Sequence, residues 1–179
     1  MKVQIVFAHA MSKSQHAPFG NKNSLPWKHN KEDLSFFKRI TANSVLVMGS
    51  NTFESLPGKL VGRPHIVRSR SNTATARNGE RADFYTSMHF TDLIEDLTNE
   101  YGEDYDTISV IGGPEVIFSA LRYADCIYKT TIAEKIEAYD VTIDLTKVFC
   151  SFPQSEKLEI TECENGSVIF IEKLTKGDI

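Results

Sequence analysis

The sequence predicts an α/β fold: one domain over residues 1–179, built on a mixed, mostly parallel sheet of about eight strands with a C-terminal antiparallel hairpin and about four flanking helices. Three observations lead there. Short apolar, β-branched runs alternate with stretches of helical periodicity. Two of those runs end in glycine just before a helix. The last two runs flank Asn165-Gly166, a strong hairpin signal. A chain of 179 residues fits one domain and can bury roughly two thirds of its unfolded surface without disulfide or metal.

Val3 to Phe7 is apolar and β-branched and reads as a buried strand. From about His9 to Pro26 the chain is polar and holds Pro18 and Gly20. A structureless loop of that length points to function. Asn30 is placed as a helix N-cap, with Asp33 in the first turn and Leu34, Phe37 and Ile40 recurring at helical spacing to about Thr41. Ser44 to Met48 is a buried strand ending at Gly49, followed by a short helix from about Asn51 to Ser55. Pro57-Gly58 and Gly62-Arg63-Pro64 punctuate a loop, and His65 to Ser69 is a strand. Ser71 to Ala82 reads as surface loop and Asp83 to Thr86 as a short strand. Phe90, Leu93, Ile94 and Leu97 form the stripe of an amphipathic helix.

Thr107 to Ile111 is a strand that meets Gly112-Gly113-Pro114. Proline suits the first helical position, so a helix is expected from Pro114 to about Leu121. Asp125 to Ala133 is a strand, and Leu158 to Cys163 and Ser167 to Leu174 pair across the Asn165-Gly166 turn.

Composition narrows the function. With 41% hydrophobic and 25% charged residues the chain reads as an ordinary globular domain. A net charge of −4 and no long basic run argue against nucleic acid as a partner. No run approaches the ~20 apolar residues of a membrane span, and the apolar start reads as a strand, not a signal peptide. Three cysteines, Cys126, Cys150 and Cys163, form no C-x-x-C pair and suit a reducing compartment, so the cytoplasm is expected. The five histidines lack metal-ligand spacing, and no metal site is expected. G-x-S-x-G and the P-loop pattern are both absent.

Two turns and one acid carry the remaining chemistry. Gly49-Ser50-Asn51-Thr52 and Gly112-Gly113-Pro114-Glu115 each set glycine between a strand end and a helix start, where backbone N–H groups can meet phosphate. They are equally readable as plain turn glycines. Asp33 is open to two readings as well. It is either a carboxylate on a solvated helix face or, if buried in an apolar cleft, an acid whose pKa is raised and which can hold a ring and help supply a proton.

The constellation resembles dihydrofolate reductase. Leu25-Pro26-Trp27 is similar to that family's L-P-W. Asp33-Leu34-Ser35-Phe36-Phe37-Lys38-Arg39 is similar to its acid-bearing helix. Val47 to Pro57 (VMGSNTFESLP) is similar to its M-G-x-x-T-[FW]-x-S block, Gly62-Arg63-Pro64 to its [PG]-G-R loop, and Val110-Ile111-Gly112-Gly113 to its I-G-G turn. The five stand in family order over nearly the whole chain.

The resemblance implies a cytoplasmic, monomeric oxidoreductase that reduces 7,8-dihydrofolate to 5,6,7,8-tetrahydrofolate with NADPH, supplies one-carbon metabolism and takes antifolates such as trimethoprim or methotrexate. It implies a catalytic set of Asp33, Trp27 and Thr130, with Thr130 bonded to Asp33. Val6, Ala8, Leu34, Phe37, Leu56 and Ile111 would line the substrate pocket. Arg63 would pair with the carboxylate of the substrate's glutamate tail.

On the cofactor side the resemblance implies contacts from Ala8, Phe19, Gly20 and Asn23 in and beside the first loop. Gly49, Ser50, Asn51 and Thr52 would follow from the second turn, and Ile111, Gly112, Gly113, Pro114, Glu115, Val116 and Ile117 from the third. Ser69 and Arg70 would read the 2′-phosphate, favouring NADPH over NADH. The chain departs from the family's usual residues at Ser50, Pro114, Glu115 and Ile117, and it carries an insert around Ser12 to Ala17. These departures resemble phage-encoded branches. The alternatives are another NADPH reductase on this fold, such as the pyrimidine reductase of riboflavin synthesis, and a catalytically idle folate- or nucleotide-binding module.

Overall fold

A computed structural model describes residues 1–177. In chain order the strands are β1 (Lys2–Ala10), β2 (His16–Gly20), β3 (Ser44–Gly49), β4 (His65–Arg68), β5 (Phe84–Thr86), β6 (Thr107–Gly112), β7 (Cys126–Ile132), β8 (Val141–Asp144), β9 (Gln154–Glu162) and β10 (Val168–Thr175). The helices are α1 (Lys31–Ile40), α2 (Ser50–Ser55), α3 (Phe90–Tyr101), α4 (Pro114–Ala120) and α5 (Leu145–Ser151). Eight strands form one sheet in the order β5-β4-β3-β6-β1-β7-β10-β9, and β2 pairs with β8 in a separate ribbon.

The chain divides into two compact units, and β1 serves both. The first comprises Met1–Ile5 and Ile40–Ala124. Its strands are parallel: β6 pairs with β1 and β3, β3 with β4, and β4 with β5. β3 lies inside the sheet and is buried over five consecutive residues, which explains its unbroken apolar run. α3 packs through Phe90, Leu93 and Leu97, the spacing of a single helical stripe.

The second unit comprises Val6–Arg39 and the chain from Asp125 onward. Here β10 is antiparallel to both β7 and β9. The β9–β10 turn sets Gly166 at φ +85°, a backbone that glycine adopts without steric cost. α1 is capped by Asn30, whose Oδ1 accepts the Asp33 N–H at 2.8 Å. Glu32 and Asp33 occupy its first turn and Lys38 and Arg39 its last, matching the ends of the helix dipole.

The expected mixed sheet and terminal hairpin are present. One helix was not foreseen and two expectations need correction. The described residues hold five helices: α5 joins the four expected, and Asp144 caps it by accepting the Thr146 N–H at 3.0 Å. The segment from His9 to Pro26 is not structureless, because it contains β2, paired antiparallel to the equally unforeseen β8. The buried stripe of α1 runs through Asp33 and Phe36, while Leu34 is 42% exposed. Helical spacing alone does not say which of two adjacent apolar residues faces inward, and Phe36 won by packing its ring 6.2 Å from that of Tyr128.

Candidate active site

The acid is built from the start of α1. Asn30 is buried, and besides capping Asp33 its Nδ2 donates to Ser167 Oγ at 3.1 Å and lies 3.3 Å from Cys163 Sγ. Asn165 Nδ2 donates to the His29 carbonyl at 2.9 Å. The β9–β10 turn therefore grips the N-terminus of the helix and fixes where Asp33 sits. Asp33 is only 8% exposed. Burial pushes its pKa up to about 6, and a hydrogen bond from the Thr130 hydroxyl opposes that rise without cancelling it. Thr130 is itself buried on β7. Among the described residues no cation contributes to the balance at Asp33. An acid in this state changes charge close to physiological pH.

Other expected residues fall in the same unit. Trp27 is buried, and its Nε1 is a buried donor with no partner among the protein groups. Such a donor requires an acceptor from water or ligand. Val6 is buried and Ala8 half-buried at the far half of β1. Phe37 is half-buried on α1. Phe19 and Gly20 lie half-buried in β2, with the Phe19 ring 6.4 Å from that of Phe7. Asn23 is exposed in the turn after β2, with φ +59°.

The first unit holds the two glycine turns, and it brings them together. β3 and β6 are parallel neighbours, with Met48 paired to Gly112. A Cβ added at Gly49 would stand 3.4 Å from Val116 Cγ2 and 3.7 Å from the Gly113 nitrogen, and one at Gly113 would stand 3.8 Å from Thr52 Oγ1. Gly112 has φ +133°, a backbone that side chains rarely adopt, and its peptide bond to Gly113 is cis. Gly49 and Gly113 are the N-caps of α2 and α4, and neither helix start receives a side-chain cap. The leading N–H groups of α2, and those of α4 after Pro114, which has none, are thus left for solvent or ligand. Ser50, Thr52, Pro114 and Val116 are half-buried around these turns, and Asn51 and Glu115 are exposed. Ile111 is buried at the end of β6.

Ile117 is fully buried, and its N–H donates to the Gly113 carbonyl at 3.0 Å. Ser69 is tied into the chain, its N–H donating to the Thr86 carbonyl at 2.8 Å and its Oγ accepting the Ser71 N–H at 3.1 Å. Arg70 is exposed. Leu56 is half-buried after α2. Arg63 is half-buried, with Nη1 donating to Thr41 Oγ1 at 2.9 Å and Nε to the Val61 carbonyl at 3.3 Å.

Among the described residues no group of three or more His, Cys, Asp or Glu side chains could hold a metal ion. Among the described residues no helix is long and apolar enough to cross a membrane. The sequence reading missed the second role of Asn30 and the part played by Cys163 and Ser167. The only hint was a cap residue followed by acids. Its partners lie more than a hundred positions away.

Parallel strands ending in paired glycine turns, and a buried acid kept close to its protonation point, place the chain in the α/β class with the features of a ligand-binding, proton-exchanging site. A family model described as dihydrofolate reductase matches residues 4–170. The chain is 34% identical over 134 residues to the type A10 dihydrofolate reductase of Escherichia coli, covering 74% of this chain and 66% of that one. It is 35% identical over 127 residues to the type 9 enzyme of the same organism, covering 71% and 70%. It is 33% identical over 138 residues to the type 8 enzyme, covering 76% and 79%. The chain belongs to the dihydrofolate reductase family.

Proposed function

We propose that the reaction of this family member, the NADPH-dependent reduction of 7,8-dihydrofolate to 5,6,7,8-tetrahydrofolate, is organised by Asp33. The observation that carries the reading is a carboxyl buried without a counter-charge, bonded to Thr130 and pushed up to about 6. The pterin presents an amino group and a ring N–H side by side, and one carboxylate can accept from both. In that pose Asp33 favours the protonated ring, and water delivers the proton to the nitrogen beside the reduced carbon. Thr130 fixes the carboxylate's orientation. The orphaned Trp27 Nε1 supplies a donor for water or substrate at the same end. Val6, Ala8, Leu34, Phe37, Leu56 and Ile111 give the apolar contacts, and the Arg63 fork meets the glutamate tail.

NADPH, when bound, supplies the hydride. The residues present fit it: Gly49 and Gly113 leave the room a Cβ would fill, and two helix starts carry N–H groups with no side-chain cap. Thr52 and the Gly112-Gly113 turn hold the pyrophosphate, while Ser69 and exposed Arg70 read the 2′-phosphate. Phe19, Gly20 and Asn23 cover the nicotinamide end and exclude water. The proposal includes a monomer in the cytoplasm, where the product serves thymidylate and purine synthesis, and antifolates as competitors of the pterin.

The test is NADPH oxidation, followed by its near-ultraviolet absorbance, with dihydrofolate as the oxidant. Turnover is expected with NADPH in preference to NADH. Arg70→Leu should cut that preference about tenfold, a change typical of one charge-assisted contact. Folded protein that shows no turnover overturns the proposal, and an undiminished preference in Arg70→Leu removes Arg70 from it.

A further inference from the structure

We infer that His65 is a positioning residue for recognition of the substrate's tail: its ring fixes the loop that presents Arg63. The inference rests on the reading of Arg63 given above. Residues 56–64 lie outside helix and strand, so their course depends on the bonds that hold them. The His65 side chain is completely buried, with its ring 6.0 Å from that of Phe53. Nε2 accepts the backbone N–H of Leu60 at 3.0 Å. The proton of the neutral ring is therefore on Nδ1, which lies 3.9 Å from Asp83 Oδ2. The same Asp83 oxygen accepts the His65 backbone N–H at 2.7 Å, and its other oxygen takes Lys59 Nζ at 2.5 Å.

The loop is thus held at Lys59 and Leu60, just before Gly62 turns the chain at φ +73° and Arg63 follows. Lys59 N donates to Glu80 Oε2 at 2.8 Å, and Tyr105 Oη donates to the Gly62 carbonyl at 3.2 Å. Arg63 itself uses Nε and Nη1 for Val61 and Thr41. A guanidinium that must meet a carboxylate with two parallel bonds is sensitive to small shifts of its backbone. The acceptor at Leu60 exists only while the ring is neutral. Burial lowers the His65 pKa, and the charges of Lys59 and Arg63 act in the same direction, against the Arg63 backbone carbonyl and Asp83, which raise it.

The test compares KM for dihydrofolate with KM for dihydropteroate, which carries the same pterin and aminobenzoate but no glutamate. His65→Phe keeps a ring against Phe53 and removes the acceptor. It should raise KM for dihydrofolate about tenfold, the equivalent of one net hydrogen bond, and leave kcat and the dihydropteroate KM unchanged. His65→Gln, which returns an acceptor near the place of Nε2, should restore most of the loss. Equal rises on both substrates, or no rise on either, overturn the inference. Arg63→Leu is measured alongside. If it shows the tail-specific rise and His65→Phe does not, the inference fails and the reading of Arg63 stands. If Arg63→Leu shows no tail-specific rise, that reading fails and the inference with it. Should His65→Phe not fold, His65→Asn, whose amide stops short of Leu60, is judged by the same ratio of KM values.

Discussion

Asp33 and Glu172 are both acids set against β7, and their surroundings move them in opposite directions. Burial raises Asp33 to about 6 with only the Thr130 hydroxyl opposing it. Burial acts on Glu172 too, but the Lys129 ammonium and the Ser155 hydroxyl more than offset it and hold the carboxyl below its usual range. The difference arises from neighbouring residues of one strand, whose side chains alternate between faces. Thr130 turns to one face. Lys129 and Thr131 turn to the other, where Lys129 Nζ meets Glu172 Oε2 at 2.6 Å and donates to Thr131 Oγ1 at 3.0 Å. Thr131 Oγ1 lies 3.3 Å from His9 Nε2, and His9 Nδ1 donates to the Ala10 carbonyl at 2.8 Å. His9 is buried, with a pKa lowered to about 4 mainly by desolvation, so it stays neutral and accepts. On that face each charge has its partner and each proton its place. On the Asp33 face the charge has none. A fold that pairs one acid so fully has left the other free to exchange a proton.

The largest expected effect breaks the Asp33 face. Asp33→Asn keeps size and removes the charge, and turnover at neutral pH should fall at least about a hundredfold. The same variant should be more stable than the parent. The unfolded chain loses this proton at about 4 and the folded chain holds it to about 6, so the folded state binds more protons between those values. Stability contributed by the protonated acid is present below about 4, falls as pH rises to about 6 and stays low above it. Denaturant unfolding should therefore show Asp33→Asn gaining up to about 3 kcal/mol at neutral pH and nothing below about pH 4.

The opposite face should respond in the opposite sense. Lys129→Met strands Glu172 and takes a donor from Thr131. Because the Glu172 side chain is 26% exposed, the loss should be about 2 kcal/mol, short of the full cost of splitting a buried pair. Thermal melts check this, with kcat unchanged and with Glu172→Leu added to recover part of the loss. The smallest effect sharpens the account of Thr130. Thr130→Val removes the one bond that favours the charged acid, so the pH midpoint of hydride transfer should move upward by about one unit or less.

The sheet was legible because β3, β6 and β10 carry long apolar or alternating runs, and the hairpin because Asn165-Gly166 lies between two of them. The β2–β8 ribbon was not. β2 contains Pro18 and Gly20, and half of β8 is exposed, so neither has the pattern of a core strand. Asp33 stood out by its place beside apolar residues, but its pKa depends on Thr130, 97 positions later, and only the family resemblance named that partner. The grip of Asn30 on Cys163 and Ser167, the burial of Lys129 and the ring of His65 over Leu60 all join distant or looping segments. No periodicity records such contacts.

The central claim is that Asp33 is a buried acid with no counter-charge. The direct measurement is its own titration, by carbon NMR of side-chain carboxyls in the free protein, assigned by the signal missing in Asp33→Asn. The account predicts a midpoint near 6, well above that of Glu172 in the same spectra. A midpoint for Asp33 at or below about 4 would contradict it.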